Sequence, residues 1–214
     1  MAGKRIGILG GSFNPIHNAH LRLAVEAVEQ AGLDSLELVP AAQPPHKRDL
    51  DMLAFPVRCR YLELAVQGFD WLSVNTLEGE REGPSYTVDT LRQYTSQYSG
   101  QEIFFLLGAD EFLNLPTWHS WERIPELAHL ILACRGERDS GSIAEFISSH
   151  FPRAELSRQE PAIWDLPGGN SMQLISLPRM DISSTQIRNK LSRGLSLAWL
   201  VPEAVRRELE RDVA

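Results

Sequence analysis

His17 and His20 lie three residues apart at the end of Gly10-Gly11-Ser12-Phe13-Asn14-Pro15-Ile16-His17-Asn18-Ala19-His20, directly after the apolar run Ile6-Gly7-Ile8-Leu9. The order reads as a buried strand, a glycine turn and a helix start that carries two imidazoles. Glycine removes the side chain that would keep backbone away from a ligand. A helix start presents unpaired N–H groups and a positive dipole end, both suited to an anion. Residues at i and i+3 share one helix face, so both rings can address one phosphate. Core histidines and metal ligands are the competing readings, and no further residues at zinc-like spacing are obvious. The pattern points to phosphate chemistry.

A second group of candidates is Asp181-Ile182-Ser183-Ser184-Thr185-Gln186-Ile187-Arg188. Ser183 or Ser184 can cap a helix start and leave other hydroxyls and N–H groups for phosphate oxygens. Arg188 falls one turn further on and brings a permanent charge with a forked donor geometry. An ordinary capped amphipathic helix explains the same residues, and Ile187 with Leu191 fits a core face in either case. Two common phosphate signatures are missing. Without G-x-x-x-x-G-K-[ST] a P-loop nucleoside triphosphatase is disfavoured, and without G-x-G-x-x-G a dinucleotide redox domain loses its main support.

Strand-like and helix-like segments alternate around these motifs. Ile6 to Leu9, Ser35 to Val39, Trp71 to Leu77, Ile103 to Leu107, Leu130 to Ala133 and Gln173 to Leu177 read as strands. His20 to Ala31, a segment from Pro56 through Ala65, Thr87 to Tyr98 and Ser183 to Arg193 read as helices, with Gly32 and Gly194 as stops and Thr87 as a cap. Uninterrupted apolar strands mark a parallel sheet covered on both faces. The expectation is a single α/β domain over residues 1–214. It has a doubly wound, mostly parallel, Rossmann-like sheet, a central first strand and helices packing on it from about residue 183. Its ligand crevice lies at the carboxyl ends of the strands. Gln43 to Leu53 and Glu155 to Asn170 read as surface loops near the site.

Composition narrows the class further. The 214 residues are 43% hydrophobic and 23% charged, as in a globular protein. A net charge of -7 argues against a general nucleic-acid partner. Cys59 and Cys134 have no metal-ligand spacing and read as reduced core thiols. No apolar run approaches the ~20 residues that span a bilayer, so a cytoplasmic protein without a membrane partner is expected.

Together the two motif segments resemble the nucleotidyltransferases of the His-x-Gly-His type. The resemblance narrows to the bacterial nicotinate-nucleotide adenylyltransferases through Pro44-Pro45-His46-Lys47, Gly83-Pro84-Ser85-Tyr86-Thr87-Val88-Asp89-Thr90-Leu91, and Leu107-Gly108-Ala109-Asp110 through Leu115-Pro116-Thr117-Trp118. One departure stands out: Ala19 occupies the place of the family glycine. It is expected to be tolerated if that position is helical.

The resemblance implies transfer of AMP from ATP to nicotinate mononucleotide in NAD biosynthesis, with Mg²⁺ accompanying ATP. It implies that His17, His20 and Arg188 stabilise the reacting phosphates. Gly10, Gly11, Ser12, Phe13, Ser184, Thr185 and Ile187 would complete the ATP site. Lys47, Tyr86, Thr87, Asp110 and Trp118 would hold the acceptor. Trp118 would stack on the pyridine ring, the N–H groups around Tyr86 and Thr87 would receive the carboxylate, and Asp110 would bind ribose hydroxyls or cap the next helix.

Overall fold

Ile103 to Leu107 and Leu130 to Ala133 are apolar at every position because both faces of their strands are covered. The computed structural model describes residues 3–45, 52–158, 160 and 162–213. The first half runs β1 (Arg5–Gly11), α1 (Asn18–Ala31), β2 (Ser35–Pro40), α2 (Phe55–Ala65), β3 (Leu72–Val74), α3 (Thr87–Gln97), β4 (Glu102–Gly108) and α4 (Ala109–Leu113). The second runs α5 (Ile124–Leu127), β5 (His129–Cys134), α6 (Glu137–His150), β6 (Glu155–Leu156), β7 (Ile163–Asp165), β8 (Ser171–Ser176), α7 (Ser184–Ser192) and α8 (Glu203–Val213).

The strands form one sheet in the order β3-β2-β1-β4-β5-β8-β7-β6. The pairs from β3 to β8 along that order are parallel, and only β8-β7 and β7-β6 are antiparallel. Side chains on a strand point alternately to its two faces. Phe104, Leu106, Ile131 and Ala133 therefore join a core built with α1, α2, α7 and α8. Ile103, Phe105, Leu107, Leu130 and Leu132 join a second core with α3, α4, α5 and α6. The chain leaves β1 toward β2 and later returns to β4 on the opposite side. The order thus reverses between β1 and β4, and α/β sheets take ligands at such a point.

Three expectations change. Trp71 to Leu77 is strand only over Leu72–Val74, because Asn75 Oδ1 accepts the Leu77 N–H at 3.1 Å and turns the chain into a 3-10 segment, Leu77–Glu80. Thr87 is the first helical residue, with Tyr86 in the cap position, so Thr87 is not a cap. Glu155 to Asn170 is not simply a loop, since β6 and β7 lie within it at the far edge of the sheet. His46 to Asp51, most of one predicted surface loop, lie outside the described residues. Among the described residues no helix is long and apolar enough to cross a membrane.

Candidate active site

The turn expected at Gly10 and Gly11 falls later: both glycines end β1, in register with Val39 and Pro40, and the chain turns at Asn14 and Pro15. Phe13 takes φ 43 and buries its ring at 2% exposure, and the Asn14–Pro15 bond is cis. Helix α1 then begins with His17 at its cap position. The His17 and His20 rings stack with centroids 3.6 Å apart and planes 18° apart. The His17 N–H donates to His20 Nδ1 at 3.3 Å. A ring that accepts at Nδ1 carries its proton on Nε2, so His20 keeps a donor on its other side. Burial and the Arg135 charge push the His17 pKa down to about 4, a shift that its backbone hydrogen bond partly opposes. His17 is therefore neutral at physiological pH. Its Nδ1 is buried with no hydrogen-bond partner among the described residues, a cost that a bound ligand commonly explains.

The helix start is less open to an anion than its sequence implies. The Asn18 N–H donates to the Leu200 carbonyl at 2.9 Å, and the His20 N–H to the His17 carbonyl at 2.9 Å. These bonds leave the two rings, more than the first helical N–H groups, to meet a phosphate.

The opposite end of the sequence packs onto this same loop. Ser183 caps α7 by accepting the Gln186 N–H at 3.2 Å. The Ser184 hydroxyl donates to the Pro15 carbonyl at 2.9 Å. Arg188 Nη1 donates to the Asn14 carbonyl at 2.8 Å, and Nη2 reaches Thr185 Oγ1 at 3.4 Å. A crevice of about 1000 Å³ opens here, lined by Gly10, Gly11, Ser12, Phe13, His17, His20, Ser184, Thr185 and Arg188. Ile187 does not line it. Its side chain is fully buried in the core, and its N–H donates to the Ser183 carbonyl, so the structure gives it a packing role.

The same crevice continues past Tyr86, Thr87, Asp110 and Trp118. Ser85 and Gln43 exchange backbone and side-chain hydrogen bonds at 2.9 and 3.0 Å, drawing the segment after β2 onto the start of α3. The Tyr86 N–H donates to the Pro84 carbonyl at 2.9 Å, so the helix-start donors facing an anion begin at Thr87. Trp118 is half-buried, not fully exposed, with its ring edge-on to Phe105 at 6.4 Å. Asp110 lies in the first turn of α4 behind Gly108, which holds the cap position. Lys47 lies outside the described residues.

Several lining residues carried no usable signal in the sequence. His119 stacks on Tyr86 with centroids 4.3 Å apart, and an aromatic two residues after Pro116-Thr117 was the only hint of it. Arg22, Arg135 and Arg179 add cations to the walls. Arg22 Nε is held by Glu26 at 2.9 Å, and Arg179 Nε by Asp181 at 3.2 Å. Isolated arginines are ordinary surface residues until a fold gathers them.

A crevice at the carboxyl ends of parallel strands, with paired imidazoles and converging cations, defines a nucleotide-handling α/β protein of the nucleotidyltransferase class. Residues 8–190 match the family described as Cytidylyltransferase-like. A probable nicotinate-nucleotide adenylyltransferase of Maridesulfovibrio salexigens is 38% identical over 94% of this chain and 92% of its own length. A probable enzyme of the same name from Pseudomonas putida is 42% identical over 95% of this chain and 87% of its own. Among solved structures, the Plasmodium falciparum nicotinic acid mononucleotide adenylyltransferase complexed with NaAD superposes with a TM-score of 0.74. It covers 98% of this chain and 96% of that one at 18% identity, a likeness of fold. The chain belongs to the cytidylyltransferase-like family, in its nicotinate-nucleotide adenylyltransferase branch.

Proposed function

We propose that this protein transfers the adenylyl group of ATP to nicotinate mononucleotide, giving nicotinate adenine dinucleotide and pyrophosphate in NAD biosynthesis. The observation that carries the reading is the junction of Asn14–Pro15 with Ser184 and Arg188, which brings both phosphate-type motifs around one crevice. The relatives named for this activity support it.

The attacking group is a phosphate monoester whose second pKa is about 6, so it is already largely ionised at neutral pH. No general base is required. An acceptor phosphate oxygen forms a bond to the α phosphorus of ATP while the bond from that phosphorus to the bridging oxygen breaks, and pyrophosphate leaves. One anion must approach another, so the protein's task is in-line positioning and neutralisation of charge. The neutral His17 and its neighbour His20 act here as hydrogen-bond donors to the phosphates at the reacting centre. Arg188 and the Ser184-Thr185 helix start hold the leaving phosphates, and Gly10 to Phe13 approach the nucleotide with backbone. Trp118 supplies a flat face for the pyridine ring, Thr87 a helix start for the carboxylate, and Asp110 acceptors for ribose hydroxyls.

Among the described residues no group of three or more His, Cys, Asp or Glu side chains converges as a metal cage. Mg²⁺, usually held by substrate phosphates and water, is the ion we assign to the bound ATP. When bound it would supply further neutralisation of phosphate charge. We also infer that the chain works as one nucleotidyltransferase domain, because α7 contributes to the same crevice as β1. A biosynthetic step that consumes ATP fits the cytoplasm.

The test is direct. With Mg-ATP and each acceptor in turn, dinucleotide and pyrophosphate should form with nicotinate mononucleotide. They should form much more slowly with nicotinamide mononucleotide, pantetheine phosphate or glycerol phosphate. Nucleotide binding without pyrophosphate release would make this a sensing module instead.

A further inference from the structure

One side chain of α2 has no part in that scheme and yet touches the reacting loop. Arg58 is only 1% exposed, although a guanidinium keeps its charge and is costly to bury without partners. Its Nη1 donates to the Ser12 carbonyl at 2.7 Å and its Nε to the Leu53 carbonyl at 3.0 Å. The Leu53 N–H in turn donates to Asn14 Oδ1 at 3.0 Å, which closes a ring of contacts beneath the loop from Ser12 to Asn14. The Phe55 ring lies 5.4 Å from the guanidinium carbon.

A peptide group is rigid and planar. Gripping the Ser12 carbonyl from the buried side therefore directs the Phe13 N–H to the opposite side, where Ser12 and Phe13 line the crevice. Phe13 sits at φ 43, a conformation that a bulky residue keeps only when its surroundings over-determine it. Arg188 and Ser184 hold the Asn14 and Pro15 carbonyls, further along the same loop, from α7. Arg58 thus holds the loop at the Ser12 carbonyl, and α7 holds it at the Asn14 and Pro15 carbonyls.

We propose that Arg58 is a positioning residue, which holds the Ser12–Phe13 peptide from below so that the phosphate loop and the adjoining imidazoles meet the nucleotide in reactive geometry. Its catalytic consequence rests on the adenylyl transfer proposed above; its hold on the loop does not.

The test compares Arg58→Met and Arg58→Lys with the parent chain, all confirmed as folded. In Arg58→Met, kcat should fall by about 100-fold, the scale expected of a roughly 1 Å misplacement, while the acceptor KM stays within about threefold. Arg58→Lys should recover part of that loss, since an ammonium can still reach one carbonyl. The NMR titration of the His17 ring gives a readout independent of turnover. His17 should stay neutral between about pH 5 and 8 in the parent and titrate in that window in Arg58→Met, as the loosened loop admits water. His129, half-buried at the first residue of β5 and so away from the carboxyl ends of the strands, should be unmoved. A folded Arg58→Met with parental kcat and a silent His17 overturns the proposal, as does a shift of His129 alongside His17. If Arg58→Met does not fold, Arg58→Lys carries both readouts, and parental values there overturn it equally. A parent that releases no pyrophosphate removes the proposed activity, and the His17 comparison still decides the role of Arg58.

Discussion

Two imidazoles stacked 3.6 Å apart cannot both be charged without strong repulsion, and burial already keeps His17 neutral. In the proposed reaction their contribution would therefore be a directed hydrogen bond at the reacting phosphate, strongest when the charge there is greatest. His17→Ala should leave the fold and much of the ATP affinity in place while kcat drops by roughly 100-fold or more. Steady-state kinetics beside a thermal melt separates that from a structural loss. Ala19 sits in the first turn of α1, so alanine meets no conformational penalty at the place where the His-x-Gly-His resemblance expects glycine. Ala19 does line the crevice. Ala19→Gly should lower stability by up to about 1 kcal/mol and change the KM for ATP by no more than a few-fold, read by chemical denaturation and initial rates.

At the scale of elements, α7 matters because it presents Ser184 and Arg188 to a loop nearly the whole chain away in sequence. Its start is set by Ser183, so Ser183→Ala should cost about 1 kcal/mol, measured by urea unfolding, and should weaken ATP more than the acceptor. On the acceptor side, α3 and the turn carrying Trp118 form one wall. Trp118→Ala should raise the acceptor KM by about tenfold with little effect on the KM for ATP, since stacking and burial of one ring are lost. Most of these elements were legible. The apolar runs of β4 and β5 and the glycine-stopped α1 follow from local periodicity. The strands β6 and β7 were not, because elements of two or three residues are too short to show a period. The helix α6 was also missed, its apolar positions being diluted by serines and charges.

For the molecule as a whole, His17 links stability to pH. Its folded pKa of about 4 lies below the ordinary 6.5, so between those values the unfolded chain binds more protons than the native one. Stability is then complete above about pH 6.5, declines as pH falls toward 4, and loses no more from this group below that. The span corresponds to roughly 3 kcal/mol. The His129 pKa is also lowered, by burial first, and adds a loss in the same direction. Denaturation at a series of pH values should show this slope, and His17→Gln should flatten it.

The sequence by itself determined the class of chemistry, the parallel sheet and a set of candidate residues most of which line the crevice. Each of these is written in local spacing: glycines after an apolar run, two imidazoles on one turn, a hydroxyl before a helix. Only the tertiary structure decided that Arg188 and Ser184 bind the Asn14 and Pro15 carbonyls, that Ile187 faces the core, and that Arg58 grips the loop from below. It also showed that the Asn18 N–H, apparently open to an anion, is taken by Leu200. Such facts depend on which carbonyl finds which donor across long stretches of chain, and no local pattern of residues encodes that choice.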